Sequence, residues 1–238
     1  MAVLSVINGG MLIIMQGKFI ILEGIDGSGK TTIAEMLTDR LQQEGMGANF
    51  LNKKYSDYPE GFLREFTKKI GDALWTPTHG APVTDVTDFG WYYLHATWYS
   101  VLANNALRNS LEEFEYTIMD GWYYKILARF LAKDKYEAAD LALPFKHLPK
   151  GDLVMYLDID PRIAVERKTG FSDAELGRNE GLSGDAVNDF IAYQSTVKDV
   201  YDTFARDLNW YRVDAGKTLD EVLESAYKGI ELFADSNR

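Results

Sequence analysis

Short apolar runs alternate with longer amphipathic segments along the whole chain. The runs, which have the length of buried strands, lie at 18–22, 48–51, 116–119, 153–157 and 210–213. Apolar residues at helical spacing predict helices at 31–44, 62–74, 89–111, 122–133, 161–167, 186–208 and 219–233. Because strands and helices alternate, we expect an α/β fold in three layers, with helices on both faces of a five-stranded parallel sheet.

Three segments lack this periodicity. Residues 76–88 are interrupted by prolines and a glycine, which predicts a loop. Residues 168–184 are rich in glycine and charge and predict a mobile loop. Residues 1–16 are mildly apolar but broken by glycines, so we expect an N-terminal extension that is disordered or outside the fold. No linker divides the remainder, and residues 17–238 are predicted to form a single domain.

The composition narrows the classes of function. Acidic residues outnumber basic ones by 36 to 25, and the formal net charge of −11 disfavours unspecific binding to nucleic acid or to an anionic membrane. The chain has no cysteine, which excludes disulfides and thiolate metal sites and is typical of a reducing compartment. No apolar stretch has the length of a membrane span, so we expect a protein of the cytoplasm, or of a host cytoplasm if the chain is viral.

The most informative stretch follows the first predicted strand. Residues 24–31, GIDGSGKT, match the phosphate-loop pattern GxxxxGK[ST]. Glycines let successive backbone N–H groups point at one phosphate, and the helix that begins there adds its own free N–H groups. The predicted phosphate-binding residues are Gly24, Asp26, Gly27, Ser28, Gly29, Lys30, Thr31 and Thr32. Lys30 would supply charge for the β- and γ-phosphates and Thr31 a hydroxyl for Mg²⁺; the alternative interpretation is a glycine-rich turn with a solvated lysine.

Asp120, at the end of the predicted strand YTIM, is a second candidate site residue. In a phosphate-loop fold, an acidic residue at a neighbouring strand end holds Mg²⁺ or orients the acceptor. The alternative role is to cap the helix that follows. The three histidines, His79, His95 and His147, show no metal-ligand spacing and are assigned to packing or loops.

Several stretches together resemble the thymidylate kinase family. FIILEGIDGSGKTT, at 19–32, resembles its first strand and phosphate loop, and residues 116–160 resemble the stretch that begins with its Asp-Arg motif. RIAVERK and GRNEG resemble the two ends of its lid, and residues 207–222 resemble its C-terminal strand and helix. The resemblance extends over residues 17–235.

The resemblance implies a nucleoside monophosphate kinase of the P-loop NTPase fold, with ATP and Mg²⁺ as the phosphoryl donor. It implies a lid at about 168–184 and a homodimer, for which the helix at 89–111 is the candidate interface. Asp26 would contact the acceptor sugar. The implied catalytic residues are Lys30, Asp120 and the two lid arginines, Arg167 and Arg178, with Thr31 and Asp120 holding the metal.

The acceptor side departs from the family pattern, because three expected arginines are replaced. The residues found in their places are Gly121 after Asp120, Gly61 after Tyr58-Pro59-Glu60, and Thr97 before Trp98. The predicted acceptor-binding residues are Asp26, Tyr93, Thr97, Asp120 and Arg129, of which Tyr93 would stack on a base. Basic residues that can stand in for the arginines are Lys53, Lys54, Arg64, Lys125 and Arg129.

Two interpretations of the acceptor follow. In the first, the γ-phosphoryl group of ATP goes to a deoxynucleotide such as dTMP or a modified pyrimidine analogue, held by relocated basic residues. In the second, it goes to a hydroxyl of a modified pyrimidine such as 5-hydroxymethyluridine, free or in DNA, as in kinases of some bacteriophages. The net charge of −11 argues against DNA. The alternative of another class is a P-loop ATP-binding switch module without kinase activity.

Overall fold

One parallel sheet organises the fold. The computed structural model describes residues 5–7, 10–12, 17–55, 57–75 and 85–236. Two short strands, β1 (Ser5–Ile7) and β2 (Gly10–Leu12), pair with each other antiparallel. The main strands are β3 (Lys18–Glu23), β4 (Ala48–Phe50), β5 (Tyr116–Met119), β6 (Leu153–Asp158) and β7 (Tyr211–Asp214). They form a five-stranded parallel sheet in the order β4-β5-β3-β6-β7, which confirms the predicted fold class.

Helices cover both faces of this sheet. They are α1 (Lys30–Gln43), α2 (Phe62–Trp75), α3 (Asp88–Leu102), α4 (Arg108–Glu113), α5 (Tyr124–Leu131), α6 (Ala138–Ala142), α7 (Pro161–Glu166), α8 (Ala186–Asp207) and α9 (Leu219–Ser236). A π-helical turn at Ala103–Leu107 joins α3 to α4, so the helix predicted at 89–111 is one continuous rod with a wider turn inside it. No helix in the described part of the chain is long and apolar enough to cross a membrane.

Two predictions of local structure need correction. The helix predicted to begin at Trp122 begins at Tyr124, and the Trp122 N–H before it donates to the carboxylate of Glu23. The helix α6 was not predicted at all. The extension at 1–16 and the loop at 76–88 lie largely outside the described residues, so those two predictions are not tested.

The core has two halves because alternate residues of β3 point to opposite faces of the sheet. Ile20 and Leu22 pack with residues of α1, α8 and α9, whereas Phe19 and Ile21 pack with residues of α3 and α5. All four side chains are buried. The continuous apolar run that predicted β3 is therefore the run expected of a strand covered on both faces.

The strand order brings the chemistry-bearing residues to one edge. The strands β3 and β5 are neighbours, so the loop after Glu23 and the residue after Met119, which is Asp120, lie side by side. The strand β4 pairs with β5 on its other side, and the chain leaving it carries Lys53 to the same edge. Ligands bind at this carboxyl edge in open parallel sheets.

The long helix α8 begins at a capping carboxylate. Asp185 Oδ1 accepts hydrogen bonds from Val187 N at 3.0 Å and Asn188 N at 3.1 Å. We expect Asp185→Ala to lower the free energy of unfolding by about 1 kcal/mol, measured by urea denaturation, because two helix N–H groups lose their acceptor. Asp185→Asn keeps the acceptor and should stay within a few tenths of wild type, about 0.3 kcal/mol. Equal losses in both variants would contradict a capping role.

Candidate active site

The glycine loop has the shape of an anion cradle. Gly24 has φ +150°, and a Cβ built on it would lie 2.7 Å from Leu157 O. Gly29 has φ +89° and is the N-cap of α1, with no side chain capping the helix. The first N–H groups of α1 therefore remain open to a ligand, and the helix dipole favours a negative one.

Lys30 is folded back into the loop that precedes it. Its Nζ donates to Gly24 O at 2.8 Å, to Ile25 O at 2.7 Å and to Ser28 Oγ at 3.3 Å. Burial lowers the pKa of Lys30 to about 7, and the neighbouring Lys125 adds to that effect. An incoming polyphosphate would favour the charged form, because an opposite charge nearby raises the pKa of an ammonium group.

Asp120 joins the loop to two other elements. Its Oδ2 accepts from Thr31 Oγ1 at 2.6 Å and from Lys53 Nζ at 2.9 Å. Lys53 Nζ also donates to Asp120 O at 2.7 Å. Asp120 is 3% exposed, and its Oδ1 is buried without a hydrogen-bond partner in the described structure.

A hard cation fits beside this carboxylate. Mg²⁺ prefers oxygen ligands, and Thr31 Oγ1 and the unpartnered Asp120 Oδ1 are of that kind. The described residues include no cluster of three or more acidic or histidine side chains that would form a complete metal cage. An ion here would take its remaining ligands from water and substrate phosphates, as Mg²⁺ commonly does.

Asp26 forms ion pairs with two side chains of α5. Its Oδ1 lies 2.5 Å from Lys125 Nζ and its Oδ2 lies 2.7 Å from Arg129 Nη2. Burial alone would raise the pKa of Asp26, but Lys125, Arg129 and Lys30 together hold it well below its usual range. The carboxylate is therefore an anchor for cations and a weak base.

Gln194, on α8, connects the glycine loop to the predicted lid. Its Oε1 accepts from Asp26 N at 3.1 Å, and its Nε2 donates to Glu175 O at 3.0 Å. The side chain is completely buried. Both ends of one amide are thus used, one by the loop and one by the segment at 168–184.

Glu23 is the buried carboxylate at the end of β3. Its Oε1 accepts from Trp122 N at 2.6 Å and its Oε2 from Tyr201 OH at 2.8 Å. Burial raises the pKa of Glu23 to about 7, although both hydrogen bonds and the charge of Lys30 oppose the shift. This side chain fixes the start of α5, and with it the positions of Lys125 and Arg129.

A cavity of about 810 Å³ opens beside these groups, within the usual range for small-molecule sites. One end holds Thr31, Asp120 and the cations Lys53, Lys125 and Arg129. Aromatic and acidic side chains line the rest of the cavity. The aromatic residues are Trp75, Trp91, His95, Tyr99, Phe130 and Tyr193, and the acidic ones Asp88, Asp173, Glu175 and Glu180.

Comparison with known proteins agrees with this arrangement. No family model matches the chain. A thymidylate kinase from Danio rerio is 27% identical over 211 residues, which span 87% of this chain and 86% of that protein. A thymidylate kinase from Francisella tularensis subsp. holarctica is 23% identical over 219 residues, 90% of this chain and 95% of that protein. The solved structure of thymidylate kinase from Candida albicans shares the fold, with a TM-score of 0.64, 21% identity and coverage of 91% and 92% of the two chains.

These similarities support the assignment of the chain as a divergent member of the thymidylate kinase family. The resemblance stated from the phosphate loop, lid and C-terminal segment is thereby confirmed. The replacement of three acceptor-side arginines remains a prediction from the sequence.

The predicted lid arginines make contacts outside the glycine loop in this structure. Arg167 is exposed at the end of α7, with Nη2 3.5 Å from Lys217 O. Arg178 forms an ion pair with Asp189 and donates to Gly184 O at 3.1 Å. Their catalytic roles in this thymidylate kinase relative remain predictions that require the segment at 168–184 to move.

Two predicted acceptor residues lie away from the cavity. Tyr93 is 56% exposed, and the exposed Thr97 donates to the carbonyl of Tyr93 on the outer side of α3. The cavity face of α3 carries His95 and Tyr99 at the same spacing of four residues. In this structure, therefore, the residues of α3 that line the cavity include His95 and Tyr99 rather than Tyr93 and Thr97.

The remaining predicted residues fall into two groups. Arg129, Asp26, Thr31 and Asp120 line the cavity, whereas Arg64, a proposed substitute for the arginines, is exposed on α2 and does not. Sequence reasoning missed Glu23, Gln194 and His95. A glutamate inside an otherwise apolar strand was a usable signal for Glu23, and the spacing of 88, 91, 95 and 99 was one for His95. Nothing in the sequence indicated Gln194.

The raised pKa of Glu23 gives a pH dependence of stability. A carboxyl group whose pKa is about 7 in the folded state, against 4.5 ordinarily, stabilises the fold fully below about pH 4.5. That contribution is lost as pH rises through 7. We expect wild type to lose unfolding free energy relative to Glu23→Gln between pH 5 and about 7.5, measured by urea denaturation of both proteins across that range. A difference that does not change with pH would contradict the shifted pKa.

Proposed function

We propose that this P-loop nucleotide kinase transfers the γ-phosphoryl group of ATP to the phosphate of a pyrimidine deoxynucleoside monophosphate. The observation that carries the proposal is the set of cations beside the glycine loop. Lys53, Lys125 and Arg129 line one end of the cavity with side chains only 15%, 18% and 17% exposed. Enclosed cations of this kind suit a phosphate, which an alcohol acceptor does not bring.

The donor side is supported by the open N–H groups of the loop and by Lys30. Thr31 and Asp120 are the residues that would hold Mg²⁺, which neutralises phosphate charge when bound. Lys30 would leave the carbonyls of Gly24 and Ile25 and turn to the β- and γ-phosphates. Arg167 and Arg178 would complete the surroundings of the transferred group when the lid closes, and water exclusion strengthens such contacts.

Lys53 is the best substitute for the missing arginine of the Asp-Arg motif. A Cβ built on Gly121 would lie 3.8 Å from Lys53 Nζ. Lys53, which follows the strand β4, thus occupies the space beside Gly121, where the family pattern has the arginine. Lys125 and Arg129 approach from α5 and supply two further charges.

The transfer step favours a phosphate acceptor over a hydroxyl. An oxygen of the acceptor phosphate attacks the γ-phosphorus, the bond from that phosphorus to the β–γ bridging oxygen breaks, and ADP leaves. That oxygen is already deprotonated at pH 7, so no base is needed. A hydroxyl acceptor must lose a proton, and Asp26, clamped by Lys125 and Arg129, is a weak base.

DNA is disfavoured as the acceptor by the charges around the cavity. Asp88, Asp173, Glu175 and Glu180 line the cavity together with the cations. A polyanion that extended past the reacting nucleotide would meet these carboxylates and a chain of net charge −11. A free nucleotide places its one phosphate at the cations and its base among the aromatic side chains.

The first test is a screen with labelled ATP. The acceptors are dTMP, other nucleoside monophosphates, nucleosides, and DNA with and without hydroxymethylated pyrimidines. We expect transfer to pyrimidine monophosphates, and we expect Lys30→Ala to abolish it while circular dichroism still shows a folded protein, because the γ-phosphate loses its charge partner. Lys228→Ala, an exposed lysine on α9, is the matched control. Transfer to DNA or nucleosides alone would overturn the proposed acceptor, and an undiminished rate in Lys30→Ala would overturn the donor site.

A second test separates acceptor from donor binding. Arg129→Ala should raise the KM for the acceptor monophosphate by about 10- to 100-fold, because one charge-assisted contact is worth roughly 1.5–3 kcal/mol. The KM for ATP should change by less than about threefold, since Arg129 lies on the acceptor side. Steady-state kinetics with each substrate varied in turn gives both constants. Arg108→Ala, an exposed arginine on α4, is the control, and an equal rise in both KM values would contradict the assignment.

A further inference from the structure

We infer that His95 reads the acceptor base by accepting a hydrogen bond from one of its N–H groups. The inference rests on the proposed function and concerns the same cavity. It assigns the substrate class more narrowly: a pyrimidine with an N–H donor on its edge, whether the ring imide N3–H or an exocyclic amine.

The tautomer of His95 follows from one contact. Its Nδ1 lies 2.8 Å from Trp91 O, the carbonyl four residues earlier in α3. A carbonyl only accepts hydrogen bonds, so Nδ1 carries the proton and Nε2 carries a lone pair. Within the described part of the chain, Nε2 has no hydrogen-bond partner, and it is not among the fully buried polar atoms that lack one. The residue lines the cavity. A hydrogen-bond acceptor on His95 is therefore available to a ligand in the cavity.

This acceptor persists at neutral pH. Burial lowers the pKa of His95 to about 4, with the charges of Arg129 and Lys125 acting in the same direction. The imidazole is consequently neutral when the protein is at pH 7, and Nε2 cannot donate to a base carbonyl.

The position of His95 matches a base rather than a phosphate. Tyr99 is one helical turn further along α3, about 6 Å, and lies close enough to Glu23 and Asp120 for their charges to add to the burial that raises its pKa. Glu23 and Asp120 are therefore on the Tyr99 side of His95, while Arg129 is near both residues. Around His95 the walls are aromatic: the Trp75 ring lies 5.7 Å away at 84°, and Phe130 lines the same space.

The acidic residues of the cavity wall also favour a neutral ring beside His95. Asp88, Glu175 and Glu180 line the cavity and each is paired with a lysine, so a second anionic group would compete with these carboxylates for their cations. A neutral ring with an outward N–H group meets no such penalty. A base that is alkylated at that nitrogen would leave Nε2 without a hydrogen-bond donor in an enclosed site. The site should therefore bind the alkylated base much more weakly.

The experiment pairs one change in the protein with one change in the ligand. Wild type, His95→Phe and His95→Gln are assayed with dTMP against N3-methyl-dTMP, and with dCMP against N4,N4-dimethyl-dCMP, which distinguishes imide from amine. Wild type should prefer the unmethylated member of one pair by about 10- to 100-fold in kcat/KM, as for a buried acceptor that loses its donor. In His95→Phe the two members should differ by less than about threefold, and in His95→Gln the preference should partly return, since its amide oxygen accepts.

The control is His147→Phe, the same substitution at an exposed histidine outside the cavity, which should keep the wild-type preference. Calorimetric Kd values are measured beside turnover, so the preference is tested even if no acceptor is phosphorylated. Lack of turnover with normal discrimination in binding would overturn the proposed function alone. Equal use of both members by wild type, or a preference that survives in His95→Phe, would overturn the role of His95.

Discussion

The buried carboxylate of Glu23 sets the geometry of the site, because three parts of the fold meet on it. Glu23 ends the central strand directly before the glycine loop. It accepts hydrogen bonds from the N–H of Trp122, which follows Asp120, and from the hydroxyl of Tyr201 on α8. The strand that orients the loop, the helix that carries Lys125 and Arg129, and the helix that carries Gln194 are therefore held in one frame. Burying such a group is costly, and its two hydrogen bonds and the nearby ammonium of Lys30 offset that cost.

Three cations of the cavity already have carboxylate partners before a substrate arrives. Lys53 is bound to Asp120, and Lys125 and Arg129 are bound to Asp26. An entering phosphate must share these cations with the carboxylates that hold them, which limits how tightly it binds. The same pairing keeps the cations in place, so little reorganisation is needed when charge develops at the transferred group.

The fold and the donor half of the site could be read from the sequence, and the acceptor half could not. Continuous apolar runs and the glycine pattern are local signals, and they gave the sheet, the loop, Lys30 and Thr31. The choice between Tyr93 and His95 depends on which face of α3 meets the cavity, and a shift of two residues turns the helix by more than half a turn. Gln194 joins residues distant in the chain, with partners at 26 and 175, and such a contact leaves no local pattern.

The amide of Gln194 also has a consequence for the resting enzyme. Reversing it would set its oxygen against the carbonyl of Glu175, so only one orientation satisfies both neighbours. Swinging the segment at 168–184 outward would break the hydrogen bond to Glu175 O and leave Gln194 Nε2 with only the longer contact to Asp26 Oδ2, at 3.4 Å. The predicted lid is thus held in its docked position without any nucleotide. Substrate entry would compete with this contact inside the protein rather than with bulk water.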